Sequence, residues 1–256
     1  MQIDLNADVG EGFGAWSLGE DESLIPLVSS VNVACGFHAG DPRTIERTVA
    51  LAVAAGAAVG AHPGYPDLAG FGRRAMSMSP EDLEAAIVYQ VGAVAAFARA
   101  AGTELRHVKP HGALYNRAAL DRETADAIAR AVRRFSPSLI LVGLAGSALL
   151  DAGADAGLAT AGEGFPDRAY EPDGTLRARH HADALLADAA RVGARAVGMV
   201  REGAVAAVDG SHVAIHATTL CIHGDAPGAA DRARATRTAL AAAGIGVRAL
   251  SPARDQ

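Results

Sequence analysis

The sequence predicts an α/β fold, specifically a β/α barrel, and three observations predict it. Short strand-like runs alternate with longer segments of helical period. Such repeated units imply parallel strands, because parallel neighbours need a crossover connection. Seven or eight units fit within the 256 residues, the size such a barrel requires. Finally, the polar residues of the strands crowd toward their C-terminal ends, which form the mouth in this architecture.

In chain order, the strand-like runs are Ile3–Val9, Val31–Gly36, Ala57–His62, Leu105–His111, Leu139–Leu144, Leu158–Glu163, Leu220–Asp225 and Ile245–Leu250. Between them, helical period marks Pro42–Ala55, Pro80–Ala101, Arg122–Arg134 and Asp231–Ala243. Asp41-Pro42 and Ser79-Pro80 each place a capping oxygen before a proline at the first helical position. Gly56, Gly102 and Gly244 follow helical runs as stop signals. The span from Phe165 to Thr218 is irregular: a loop, a helix near Ala182–Arg195, and Val205–Val208 facing His212–Ile215 across Asp209-Gly210, a type I′ hairpin signal. No linker rich in Pro, Ser or charge interrupts the chain, so residues 1–256 are read as a single β/α-barrel domain.

Side chains two apart on a strand share a face. Asp4, Asn6 and Asp8 therefore face one way, and Ile3, Leu5, Ala7 and Val9 the other. His107, Lys109 and His111 share a face, as do Cys221, His223 and Asp225. The second run carries Asn32 and continues to His38, and the third ends at His62. Any one of these is an ordinary buried polar residue, and Asp4 reads as a hydrogen-bonding one. Five strands delivering such groups to one rim are different: burying them without mutual satisfaction or a ligand costs several kcal/mol. The cluster reads as a site. Lys109, in VKPHGALY, is the only lysine, while arginine fills every other basic position.

Composition narrows the classes of function. Hydrophobic residues make up 50% and charged residues 20%, which supplies a core and argues against disorder. A net charge of −6 argues against a basic nucleic-acid footprint. Cys35 and Cys221 are too few for a disulfide framework and point to a reducing compartment. MQIDLNADVG has no positive n-region or apolar h-region, and the apolar stretch near Val49–Ala61 is short and broken by Gly56 and Gly60. A cytoplasmic location is expected.

GEGFGA superficially matches a dinucleotide fingerprint, but its strand carries Asp4, Asn6 and Asp8 and the next run lacks the ribose acid. A loop lining the mouth fits better. There is no GxxxxGK[ST] loop. Asp8, His62, His111 and His223 could supply a zinc-type ligand set, as in a metal-dependent deacetylase. Against this, no HxH pair occurs and a nearby lysine repels a cation, so no metal ligand is assigned and the metal question stays open. Arg73 and Arg74 could clamp a carboxylate or phosphate. Arg168 follows the sixth strand with Glu163 and Asp167, and His180-His181 reads as surface.

Taken together, DLNADVGEGFG, VNVACGFHAGDP, GAHPGYPDLAGFGRR, VKPHGALYN, EGFPDRAY and CIHGDAP resemble the LamB/YcsF family nearly end to end. Pro166 and the RARHHADA segment depart from the family pattern, which leaves Arg179 without a role. The resemblance implies a seven-stranded barrel of the glycoside hydrolase/deacetylase type. It also implies opening of the lactam 5-oxo-L-proline to L-glutamate coupled to ATP hydrolysis, with 5-oxoprolinase subunits B and C as partners and ATP bound with or on them. For that chemistry Asp8 is the expected general base, with His62 in relay. Lys109 faces the developing oxyanion, where a compact point charge suits close range. His111 protonates the leaving nitrogen. Asn6, Asn32, His38, Arg74, Arg168, His223 and Asp225 bind or orient the substrate. Two alternatives remain at this point: a stand-alone metal-dependent deacetylase or amidase, and a non-catalytic chain that only binds 5-oxoproline.

Overall fold

The alternation of the first strand sets the architecture. A computed structural model describes residues 1–251. In it β1 (Gln2–Val9) turns Ile3, Leu5, Ala7 and Val9 into the apolar layer under the helices. Asp4, Asn6 and Asp8 turn the other way and bond to side chains of distant strands. Beside β1 lie β2 (Ser30–Ala34), β3 (Ala58–His62), β4 (Leu105–Val108), β5 (Ile140–Leu144) and β6 (Ala159–Gly164), all parallel neighbours in that order. A short antiparallel hairpin, β7 (Ala204–Ala206) and β8 (His212–Ala214), stands apart from them. The ring closes through β9 (Thr219–Ile222), which pairs with β6 on one side and β1 on the other, Asn6 opposite Cys221. Finally β10 (Gly246–Val247) pairs with the start of β1 outside the ring. The described residues thus form a closed barrel of seven parallel strands.

Around it run α1 (Asp21–Leu24), α2 (Pro42–Ala55), α3 (Pro80–Ala100), α4 (Gly112–Leu120), α5 (Arg122–Phe135), α6 (Ala148–Asp155), α7 (Ala189–Glu202) and α8 (Ala229–Ala242). The capping reading holds in detail. The Asp41 carboxylate accepts from the amides of Arg43 and Thr44, the Ser79 hydroxyl accepts from Asp82, and Gly56 closes α2 in the left-handed region. Helix α3 is long and apolar enough, by length and composition, to cross a membrane. Its Leu83, Ile87, Val91 and Val94 are buried, and it packs against α5 and β3.

Three expectations change. The fourth strand ends at Val108 rather than His111, because Pro110 has no amide to donate. The main chain nevertheless stays beside β3: Lys109 donates to Ala61 O and His111 to Pro63 O, so the shared face survives. The helix expected near Ala182–Arg195 lies at Ala189–Glu202, started by Asp188, whose carboxylate accepts from Ala190 and Arg191. The hairpin is real, but Gly210 has positive φ and Asp209 does not, so its turn is not type I′. Helices α4 and α6, short and close behind their strands, were not apparent in the sequence pattern.

Candidate active site

The inward faces of the strands stack polar residues in two storeys. In the lower storey the Asp4 carboxylate accepts from the hydroxyls of Ser30 (2.6 Å), Ser29 (2.8 Å) and Thr219 (2.5 Å). Burial raises its pKa above the ordinary value, and these three donors act against that rise. Asn6 donates to Glu163 Oε1 and Thr219 Oγ1, and Asn32 donates to Asn6 Oδ1 and Asp8 Oδ1. His107 Nε2 lies 2.7 Å from Asn32 Oδ1, and burial is the first cause pushing its pKa down to about 3. A neutral ring donating that proton fits the arrangement. Room for the ring comes from Gly60, where a Cβ would stand 2.1 Å from His107 Nε2.

The upper storey opens into a cavity of about 360 Å³ at the C-terminal end of the barrel, within the small range of ligand pockets. Lys109, buried, sets its ammonium 2.8 Å from Asp8 Oδ1 and 2.9 Å from Glu163 Oε1. Burial alone would depress this ammonium. The neighbouring acids, Asp8 foremost, outweigh burial and hold its pKa well above the usual lysine range. Burial likewise works to raise Asp8, but His62 and Lys109 hold it well below the usual carboxylate range. Both groups are therefore charged at neutral pH. Glu163 Oε2 accepts from the Tyr115 hydroxyl at 2.8 Å, which fixes the far side of the carboxylate.

Beside Asp8 stands an imidazole cluster. His62 Nε2 is 3.4 Å from Asp8 Oδ2, and His111 Nδ1 is 3.0 Å from His62 Nε2. His38 stacks on His111 with ring centroids 3.7 Å apart. Glu11 Oε1 lies 3.5 Å from His111 Nδ1 and 3.6 Å from His38 Nε2. Burial, then the Asp8 charge, pushes the Glu11 carboxyl well above its usual range, and burial holds His38 and His111 well below theirs.

Asp8, His62, Lys109 and His111 thus meet at one mouth, as the strand faces require. His223 and Asp225 also border the cavity; His223 is tied to Asp167 at 3.1 Å, and Asp225 pairs with Arg73 and with Arg179 (3.2 Å). Other expected roles are corrected by position. Asn6 and Asn32 lie beneath the cavity and brace Glu163 and Asp8 rather than meeting a substrate. His38 is fully buried behind His111. Arg74 turns away to Asp67, and its neighbour Arg73 faces the cavity. Arg168 borders the cavity, but its guanidinium donates to the carbonyls of Ala184 and Arg177. His111 has both ring nitrogens engaged, one with Phe71 O at 2.8 Å and one facing His62, so it is not placed to protonate a leaving nitrogen.

The sequence reading passed over Glu11, Glu163, Tyr115 and Arg179 as site residues, and of the Arg73-Arg74 pair it assigned only Arg74 to the substrate. Glu163 carried a usable signal, an acid at a strand's C-terminal end like Asp8. Glu11 sits in the glycine loop taken only as a lining, and Arg179 lies in the departing segment, where no local pattern marked it.

Comparison with known proteins shows the family and the fold. The model of the LamB/YcsF family matches residues 3–255. The chain is 56% identical to the A chain of the 5-oxoprolinase of Chloroflexus aggregans, over 97% of this chain and 98% of that one. It is 57% identical to the same-named protein of Methylococcus capsulatus, over 97% and 95%. The crystal structure of the lactam utilization protein from Thermus thermophilus superposes with a TM-score of 0.92 at 52% identity, covering 98% of this chain and all of that one. A protein from Enterococcus faecalis assigned to cellobiose-phosphate cleavage, at 14% identity and a TM-score of 0.53, shares the fold alone.

Proposed function

The chain belongs to the LamB/YcsF family, and on that footing we propose that it is the lactam-opening component of an ATP-dependent 5-oxoprolinase, converting 5-oxo-L-proline to L-glutamate together with subunits B and C. One observation carries the reading: a buried ammonium is pinned between two carboxylates at the floor of a small, arginine-bordered cavity.

Opening a five-membered lactam requires a carbonyl made electrophilic, a water deprotonated, and negative charge held on oxygen. Coupling to ATP, bound with or on the partner subunits, supplies the activation by phosphorylating the lactam oxygen. Lys109 is the group to hold the developing negative charge. As its ammonium is drawn to that charge, Asp8 loses the cation that depressed its basicity, so it gains proton affinity when water must be deprotonated. Asp8 then returns the proton to the ring nitrogen as the C–N bond breaks, leaving a γ-glutamyl phosphate that a second water hydrolyses to glutamate and inorganic phosphate. Glu163 keeps Lys109 in place from the other side, and His62 stands beside the second oxygen of Asp8. Arg73 and Arg179, which converge on Asp225, suit the carboxylate of 5-oxoproline. This reading treats residues 1–256 as one domain and places the protein in the cytoplasm, in keeping with the unpaired thiols of Cys35 and Cys221.

The test is ATP-dependent glutamate release from 5-oxoproline by this chain with its B and C partners. Glutamate must appear only with all three chains and ATP. A complex that turns over normally with Asp8→Asn or Lys109→Met in this chain would reduce it to a carrier.

A further inference from the structure

The imidazole cluster contains a conflict that hydrogen bonds within the chain do not resolve. His62 Nδ1 lies 2.7 Å from Lys109 O, and His111 Nε2 lies 2.8 Å from Phe71 O. A carbonyl oxygen only accepts, so each of these nitrogens carries the ring proton, an assignment made from the partners. In neutral rings His62 Nε2 and His111 Nδ1 are then both lone pairs. They face one another at 3.0 Å. Two facing lone pairs repel, and something positive must lie between them.

A proton joins two atoms, whereas here four groups converge. One ligand atom from each of Glu11, His38, His62 and His111 lies within 4.8 Å of the others. Three separations are 3.0, 3.5 and 3.6 Å. A tetrahedral ion with bonds of about 2.1 Å needs ligand atoms about 3.4 Å apart. Both nitrogens of the buried His38 lack a partner, and its Nε2 is the one nearest Glu11. The surroundings are built for these rings. A Cβ on Gly64 would stand 2.9 Å from His38 Nδ1, and one on Gly72 would stand 2.8 Å from both His38 and His111. Phe71, whose carbonyl fixes His111, is the non-glycine residue with positive φ among the described residues. Such strain persists where the surroundings enforce it. Backbone carbonyls that fix the tautomer of an imidazole are the usual outer partners of metal-bound histidines.

We propose that Glu11, His38, His62 and His111 form a binding site for one divalent transition-metal ion of the zinc class. Three imidazoles and one carboxylate favour such an ion over magnesium or calcium, which prefer all-oxygen sets. The single lysine does not exclude it. The Asp8 carboxylate stands between Lys109 and the cluster, with Oδ1 toward the ammonium and Oδ2 toward His62. The sequence had suggested Asp8, His62, His111 and His223 as ligands; Glu11 and His38 take the places of Asp8 and His223, because His223 is held by Asp167.

The test uses the untagged full chain, stripped with chelator, without substrate or partners, so its outcome is separate from that of the glutamate assay. Calorimetric titration with Zn²⁺ is expected to show one site per chain. Co²⁺ is expected to give visible d–d absorption with nitrogen ligation. Glu11→Gln and His38→Gln are each expected to weaken binding by at least ~10-fold, with circular dichroism unchanged, and His223→Gln and a His180→Asn/His181→Asn variant are expected to bind as the parent does. No saturable binding by the parent chain overturns the proposal and leaves a shared proton between His62 and His111. Equal binding by parent and both cage variants also overturns it, as adventitious surface binding. Should a cage variant fail to fold, the parent's Co²⁺ spectrum decides: absence of nitrogen-ligand absorption at one equivalent rejects the site.

Discussion

The two storeys of the barrel interior are made from the same kinds of residue, and they behave differently. Below, Asp4, Asn6, Asn32 and Thr219 form a directional chain in which each donor meets an acceptor, from His107 through to the Asp4 carboxylate. Above, charge is concentrated on Asp8 and Lys109, two imidazole lone pairs oppose each other, and His38 has no partner. Burial alone therefore does not mark a functional polar residue. The lower storey, His107 Nδ1 apart, closes its hydrogen bonding within the chain and acts as structure, while the upper sets charges and lone pairs against one another at a cavity that a ligand, an ion or a reacting substrate can fill.

Substitutions can break this contrast. The largest effect belongs to the mouth. Lys109→Met should lower glutamate release in the assembled complex by ~100-fold or more, and it should also lower the melting temperature, because Asp8 and Glu163 lose their shared cation. Lys109→Arg separates the two effects: restored melting with turnover still low identifies the catalytic part. In the lower storey Gly60→Ala should act on stability alone. Its Cβ must displace the His107 ring, and overpacking of this kind costs about 1–3 kcal/mol in urea unfolding. Asp4→Ala should cost about 1–3 kcal/mol by stranding the hydroxyls of Ser30 and Thr219. Unchanged melting in either variant would dissolve the distinction between storeys.

The lower storey also carries a pH signature. His107, at about 3 in the fold against about 6.5 in an unfolded chain, binds its proton more readily when unfolded. Its contribution to stability is complete above about pH 6.5 and is lost as the pH falls toward 3. Urea midpoints at pH 7.5 and pH 5 should differ less in His107→Gln than in the parent. The smallest effect is expected outside both storeys. Arg74, largely exposed and paired with Asp67, should be replaceable by Ala with the smallest change in melting temperature of this set and KM for 5-oxoproline unchanged. Arg73→Ala should raise that KM.

That last pair shows where local reading ran out. Arg73 and Arg74 are indistinguishable by composition or period, and only the path of the loop after β3 sends one to the cavity and the other to Asp67. By contrast Asp8, His62, Lys109 and His111 were legible together, since each lies on or just past a strand end on the inward face. Glu163 obeys the same rule and was within reach of it. Glu11 was not, because it reaches the cluster from a loop beyond its strand, where strand alternation no longer fixes direction, and His38, named as a substrate contact, owes its place behind His111 to the same kind of loop.

By itself, then, the sequence determined the barrel, the polarity of its strands and which side chains point inward, because those follow from a two-residue period and from crossover connections that short-range chemistry dictates. Only the tertiary structure decided which of the inward groups satisfy one another and which remain opposed. Ring orientation, loop path and the height of each residue around the closed ring depend on contacts between segments as distant as Asn6 and Glu163, and no local pattern encodes them.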